Sequence, residues 1–163
     1  MDSTPKKERV YVETSVVSYQ AAWLSRDPML AGDQIATKLW WREYRPQYEV
    51  FVSELVDDEI EKGDIDAVRR RQESVAMLAR VHITDEADAL ASRLLRVHAL
   101  PVSASDDAMH VALATVHKMD ILLTWNCKHI ANRRMTPKIL ATIVEANYEP
   151  PLITTPADLL KSL

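Results

Sequence analysis

Glycine is almost missing from this chain, with two in 163 residues. That scarcity disfavours glycine-rich phosphate loops and a turn-dense all-β fold. Neither GxGxxG nor GxxxxGK[ST] occurs, so a nucleotide-binding reading has no motif to stand on. Cysteine is scarcer still. Cys127 alone excludes an internal disulfide framework, fits a reducing compartment, and is too isolated for a zinc cluster. No apolar run approaches the ~18 residues of a membrane span. The opening MDSTPKKERV lacks the apolar stretch of a secretory signal. A cytoplasmic protein with no membrane partner is the expectation. A basic surplus is also lacking: the formal charge is −4, which gives no overall drive towards nucleic acid unless the acids are concentrated in a metal site.

What the chain does have is apolar residues, 47% of the total, enough for one domain with a full core. Residues 1–8 read as a disordered lead and 9–163 as a single domain. Short apolar segments alternate with helical ones. Val10 to Val12 reads as a buried strand, 14–24 as a helix and 28–44 as helical. Tyr48 to Ser53 is a second strand, and ELVDDEIEKGD a helix stopped at Gly63. Residues 64–79 form an amphipathic segment whose RRRQE is a solvated face. Val81 to Ile83 is a short strand, and Thr84 caps a helix that ends before Pro101. A helix over 105–118 precedes the strand DILLT. Thr136–Pro137 and Thr155–Pro156 each suit N-cap then N1, with PLITT as a last strand between them. This alternation predicts an α/β fold with a mainly parallel sheet covered on both faces.

Ligand sites in such sheets gather at the carboxyl ends of the strands. Glu13 closes the first strand, where a carboxylate needs a partner or a function. Glu59 lies in the helix after the second strand, Asp106 and Asp107 open the helix before DILLT, and Asn126 follows it. Each has an ordinary alternative. Asp106 and Asp107 suit the dipole of a helix start, and Glu59 is one of several acids in DDEIEKGD.

The four segments together resemble the PIN-domain family, the nuclease fold of VapC-type toxins. YVETSVVSY is similar to the opening D-T-[SN] segment, with Glu13 at the Asp position. VSELVDDEIEKG is similar to the segment with a Glu four residues before a Gly, which selects Glu59. SDDAMHVALA matches the D-A-x-x-A-A helix and selects Asp107, and ILLTWNCKHIAN matches the L-x-T-x-D strand end with Asn126 at the Asp position. The resemblance spans residues 10–132 in order. It implies a three-layer α/β/α sandwich and a divalent-metal endoribonuclease, commonly a homodimer held by a cognate antitoxin. Mg²⁺ or Mn²⁺ suits carboxylate ligands, and two such ions ~3.5–4 Å apart would serve phosphodiester cleavage.

On that resemblance Glu13, Glu59 and Asp107 are the expected metal ligands, with Asp106 a candidate to compensate for the uncharged Asn126. Crowding predicts raised carboxylate pKa values in the absence of metal. Thr14 or Ser15 is expected to hold a metal-bound water. His110 shares a helix side with Asp107 and either orients it, touches phosphate, or simply packs. Lys128, His129, Arg133 and Arg134 form the best local basic patch, for phosphate contact or as a solvated helix end. Trp125 is a base-stacking candidate or a packing residue. Trp40, Trp41 and Tyr44 belong either to the core or to a partner interface. Two further readings stay open. One is a weakened RNA- or protein-binding module, the other a DNA nuclease of the same superfamily.

Overall fold

The computed structural model describes residues 3–163. Its centre is a five-stranded sheet built from β1 (Arg9–Val12), β2 (Glu49–Ser53), β3 (Ala79–Val81), β4 (Ile121–Leu123) and β5 (Leu152–Thr154). The order is β3-β2-β1-β4-β5, and every pair is parallel. Val10, Tyr11 and Val12 stand opposite Ile121, Leu122 and Leu123. All six are buried, as expected of a strand pair covered on both faces.

Eight helices cover the sheet: α1 (Thr14–Ala21), α2 (Pro28–Leu39), α3 (Glu54–Ile60), α4 (Ile65–Val75), α5 (Asp85–Arg96), α6 (Ser105–Val116), α7 (Thr136–Glu145) and α8 (Pro156–Lys161). Helices α1 to α4 pack among themselves, and α5 packs on α6 and α7. Right-handed crossovers produce this division, because the chain steps one way from β1 to β3 and the other way from β1 to β5. The reversal falls between β1 and β4, the switch point at whose carboxyl ends sheets of this kind place their ligand crevice.

Several local expectations are corrected. The first helix stops at Ala21, not residue 24, because Arg70 of α4 donates from Nε to the Ala21 carbonyl (3.0 Å) and its guanidinium lies over Trp23. Arg71 donates to the Ile60 and Lys62 carbonyls at the end of α3, so RRRQE is only partly a solvated face. The helical run 28–44 ends as α-helix at Leu39 and continues as a π-turn, Trp40–Tyr44. There Trp40 and Trp41 are buried in the core. The third strand lies two residues earlier than Val81–Ile83. The Ile83 amide donates to the Glu54 carboxylate (2.6 Å) and leaves the ladder. Thr155 caps α8 as expected, but Thr136 is already inside α7 and its hydroxyl donates to the Ile130 and Asn132 carbonyls. Within the expected lead, residues 1–2 lie outside the described residues, while Glu8 accepts from the Glu49 amide (2.9 Å) and Lys7 reaches the Pro46 carbonyl.

With so little glycine, three helix ends put other residues in the left-handed region. His98, Lys118 and Asn147 have φ of 59°, 59° and 67°. Each follows the C-cap, and the bonds Ala99→Leu94, Met119→Ala114 and Tyr148→Ile143 close the turn from six residues to one. A side chain there costs about 1 kcal/mol relative to glycine. Lys118→Gly, at an exposed position, is therefore expected to raise thermal stability by roughly 0.5–1 kcal/mol. Chemical denaturation of the variant beside wild type measures this, and an unchanged or lower midpoint would refute it.

Candidate functional site

Glu13 follows β1 directly and serves as the N-cap of α1. Its carboxylate is buried, 5% exposed, yet far from isolated. Oε2 accepts from the Ser15 amide (3.1 Å), from the Ser15 hydroxyl through a short bond, and from the Thr124 hydroxyl (2.8 Å). Thr124 follows β4, so one carboxylate oxygen ties the two central strands together at their carboxyl ends. Among the described residues no hydrogen bond falls on Oε1.

Glu59 reaches the same crevice from α3. Its Oε1 accepts from the Thr14 hydroxyl (2.8 Å) and from His110 Nε2 (2.5 Å). His110, on α6, is fully buried. Its Nδ1 lies 2.7 Å from the Tyr11 hydroxyl, which lies 2.8 Å from Ser53 Oγ. Ser53 in turn caps α3 by accepting from the Val56 amide (3.2 Å). Burial pushes the His110 pKa down, but the Glu59 hydrogen bond and the charges of Glu13, Glu59 and Asp107 outweigh it, and the net shift is upward. Burial pushes Glu59 up, and the bond and charge of His110 reverse this, so Glu59 sits below the usual carboxylate range. Crowding was expected to raise it; the imidazolium reverses the sign.

Asp107 lies one turn before His110 but pairs elsewhere. Its Oδ1 accepts from Asn126 Nδ2 (2.9 Å) and its Oδ2 from His129 Nδ1 (2.7 Å). Asn126 Oδ1 accepts from the His129 amide (3.0 Å). The Asn126 carbonyl is therefore committed to its own loop, and Asn126 approaches Asp107 as a donor.

The structure thus gathers Glu13, Thr14, Ser15, Glu59, Asp107, His110, Asn126 and His129 into two linked networks around the crevice. Thr14 and Ser15 were expected to hold a metal-bound water, but their hydroxyl protons go to the carboxylates themselves. His110 was expected to orient Asp107, to touch phosphate or simply to pack; it is fully buried and binds Glu59. Asp106 is exposed and makes no hydrogen bond or ion pair among the described residues. The Trp125 ring stacks on Tyr19 at 5.6 Å and donates from Nε1 to Thr37 (2.7 Å), so packing holds it. Lys128, Arg133 and Arg134 are exposed on the loop that carries Asn126. Tyr11, Ser53 and Thr124 had not been singled out in the sequence. The signal was a polar tip inside or at the end of each apolar strand.

A two-ion centre does not fit this donor set. Asn126 adds no charge and approaches Asp107 as a donor, and no three His, Cys, Asp or Glu side chains among the described residues are grouped to hold a metal. Glu13 Oε1 and Glu59 Oε2 accept no hydrogen bond among the described residues, and carboxylate oxygen is the donor type that Mg²⁺ takes while keeping several waters.

No protein-family model matches the chain, and no curated protein does. Among solved structures the chain is similar to one in the crystal structure of VapBC2 from Rickettsia felis bound to a DNA fragment from their promoter. The TM-score is 0.51, the identity 12%, and the match covers 90% of this chain and 98% of that one. The fold is PIN-like. The all-parallel sheet and its helical layers belong to that architecture, and at this identity the likeness speaks for the fold alone. Among the described residues no helix is long and apolar enough to cross a membrane.

Two predictions follow from the pairing. His110 has a raised pKa, so its contribution to stability is complete below pH ~6.5 and is lost as pH rises through the elevated value. Glu59 has a lowered pKa, so its contribution is complete above ~4.5 and is lost as pH falls. Melting temperature is expected to plateau between those limits and decline on the alkaline side. Glu59→Gln removes that alkaline decline; parallel pH profiles for the two proteins would mean the pair is not charged. Asn126→Asp puts a carboxylate where an amide now donates to Asp107. It is expected to destabilise the metal-free protein by about 1–3 kcal/mol, with Mn²⁺ restoring the melting temperature far more than in wild type. Equal Mn²⁺ shifts in the two proteins would contradict this.

Proposed function

We propose that the chain is a PIN-like endoribonuclease that hydrolyses RNA phosphodiester bonds in the crevice between β1 and β4. The observation that carries this reading is the gathering of Glu13, Glu59 and Asp107, from three separate segments, at the topological switch point of a parallel sheet. The likeness to a chain of a VapBC2 complex supports a place in a toxin–antitoxin pair, with a cognate antitoxin as partner and a homodimer as the working assembly.

In this reading Glu13 and Glu59 hold one Mg²⁺ or Mn²⁺. The bound ion supplies Lewis-acid polarisation of a phosphoryl oxygen and a water of lowered pKa. The protein's own part is positioning. Ser15 and Thr124 fix Glu13 by one oxygen and leave the other free, while Thr14 and His110 do the same for Glu59. The bond and charge of His110 hold the Glu59 carboxyl below its usual range, which favours the anion a cation would need. Asp107 and Asn126 hold His129 by its Nδ1 and its amide, and Nε2 has no partner among the described residues. Lys128, Arg133 and Arg134 on that loop suit the phosphate backbone, which dominates nucleic-acid affinity.

A second reading is favoured by one observation. Every acid of the crevice is already hydrogen-bonded to a side chain of the protein, as in a site that binds RNA or protein without cutting. Cleavage of single-stranded RNA separates the two. Wild type with Mn²⁺ is expected to cut, Glu59→Gln to lose roughly 100-fold or more in rate, and chelation to abolish the activity. Wild type that cuts no faster than Glu59→Gln would remove the enzyme reading and leave the binding module.

A further inference from the structure

Beside the crevice lies a groove of about 540 Å³ that the cleavage chemistry does not use. It runs between the carboxyl end of β5 and the starts of α7 and α8. Cys127 and Arg133 line it from the crevice loop, Pro137 and Leu140 from α7, Ile153 from β5 and Asp158 from α8. Its connection to the crevice is covalent and short. Cys127 follows Asn126, and the Ala131 amide, which also lines the groove, donates to the Asn126 carbonyl (2.8 Å). The Thr124 amide donates to the Thr154 carbonyl (3.0 Å), so the residue that anchors Glu13 and the groove's floor lie one strand apart, about 4.8 Å.

We propose that this groove is a nucleotide subsite for the RNA unit next to the scissile phosphate, and that it selects bases carrying an exocyclic amine. The inference rests on the ribonuclease reading above. Its volume lies in the range of small-ligand pockets. Pro137, Leu140 and Ile153 offer an apolar wall for the flat face of a base. Arg133 is exposed at the edge and makes no hydrogen bond or ion pair among the described residues, so its guanidinium is free for a phosphate. Asp158 is the only acid in the lining. Its amide caps onto Thr155, and its carboxylate has only a long, exposed contact with Lys161 (3.7 Å), which adds little. A carboxylate accepts from cytosine N4 and finds no such donor on uracil. The groove thus joins a cation for the backbone and an apolar face for a base with an acceptor that can read a base edge.

The test is fluorescence anisotropy of labelled hexamers of cytidylate and uridylate with the full chain in EDTA, where no cleavage occurs. Wild type is expected to bind the cytidylate hexamer roughly tenfold more tightly. Asp158→Ala should abolish that preference, and Arg133→Gln should weaken both hexamers and reduce the salt slope by about one. Leu140→Glu should weaken both by blocking the groove, with Arg133→Gln as the surface variant that cannot be dismissed as misfolded. If wild type binds both hexamers but all three variants match it, the subsite is refuted while the ribonuclease reading stands. If wild type binds neither, the RNA reading itself falls and the subsite with it.

Discussion

The crevice depends on one buried imidazole. His110 reaches from α6 to the Tyr11 hydroxyl on β1 and to the Glu59 carboxylate on α3, joining one helical layer to the sheet and to the other layer. A charged group with no solvent contact is expensive unless it is paired and fully hydrogen-bonded. Here both ring nitrogens have partners, and the chain of bonds continues through Tyr11 to Ser53 and the first turn of α3. Protonated, the imidazole donates at both ends and Tyr11 passes its proton towards Ser53. Burial keeps the phenol protonated, so this chain has one direction, and the position of Glu59 follows from it.

The same constraint explains how acids from separate segments tolerate one another. In the family pattern that the motifs resemble, cations offset the crowding. In this chain His110 faces Glu59, His129 and Asn126 face Asp107, and hydroxyls face Glu13. Each carboxylate therefore brings its own donors, and the folded state does not wait on a metal. The arrangement also accounts for Glu at position 13. One methylene longer than aspartate, its side chain turns one oxygen back onto its own helix start and across to Thr124, leaving the other oxygen free. The residue is at once a helix cap and a strand clamp.

Much of the fold was legible because the chain's periodicities are simple. Val10 to Val12, Glu49 to Ser53, Ile121 to Leu123 and Leu152 to Thr154 all stand where apolar runs predicted strands, and the parallel sheet followed from their alternation with helices. The boundaries that moved did so for tertiary reasons. Arg70 and Arg71 look like a solvated stripe until the neighbouring helix ends supply carbonyls for them. Glu54 draws the Ile83 amide out of the sheet edge. None of these partners is close in sequence, so no local pattern could announce them. The same is true of the three left-handed helix ends, where glycine is the usual marker and His98, Lys118 and Asn147 stand instead.

The acids of the crevice were legible and their partners were not. Glu13, Glu59 and Asp107 could be singled out because an acid beside a buried strand or at a motif position is conspicuous. What each one binds is decided across the sheet. Thr124 reaches Glu13 over 111 positions, His110 reaches Glu59 over 51, and Tyr11 reaches His110 over 99. Side chains with both polar and apolar character, such as Tyr11 within VYV or Thr124 after ILL, read as core in a sequence and act as wiring in the fold. Whether this crevice holds one ion or none turns on that wiring. Asp107 gives one oxygen to Asn126 and the other to His129, so anything that binds it shares those oxygens with the loop turn that the Asn126 side-chain carbonyl closes on the His129 amide.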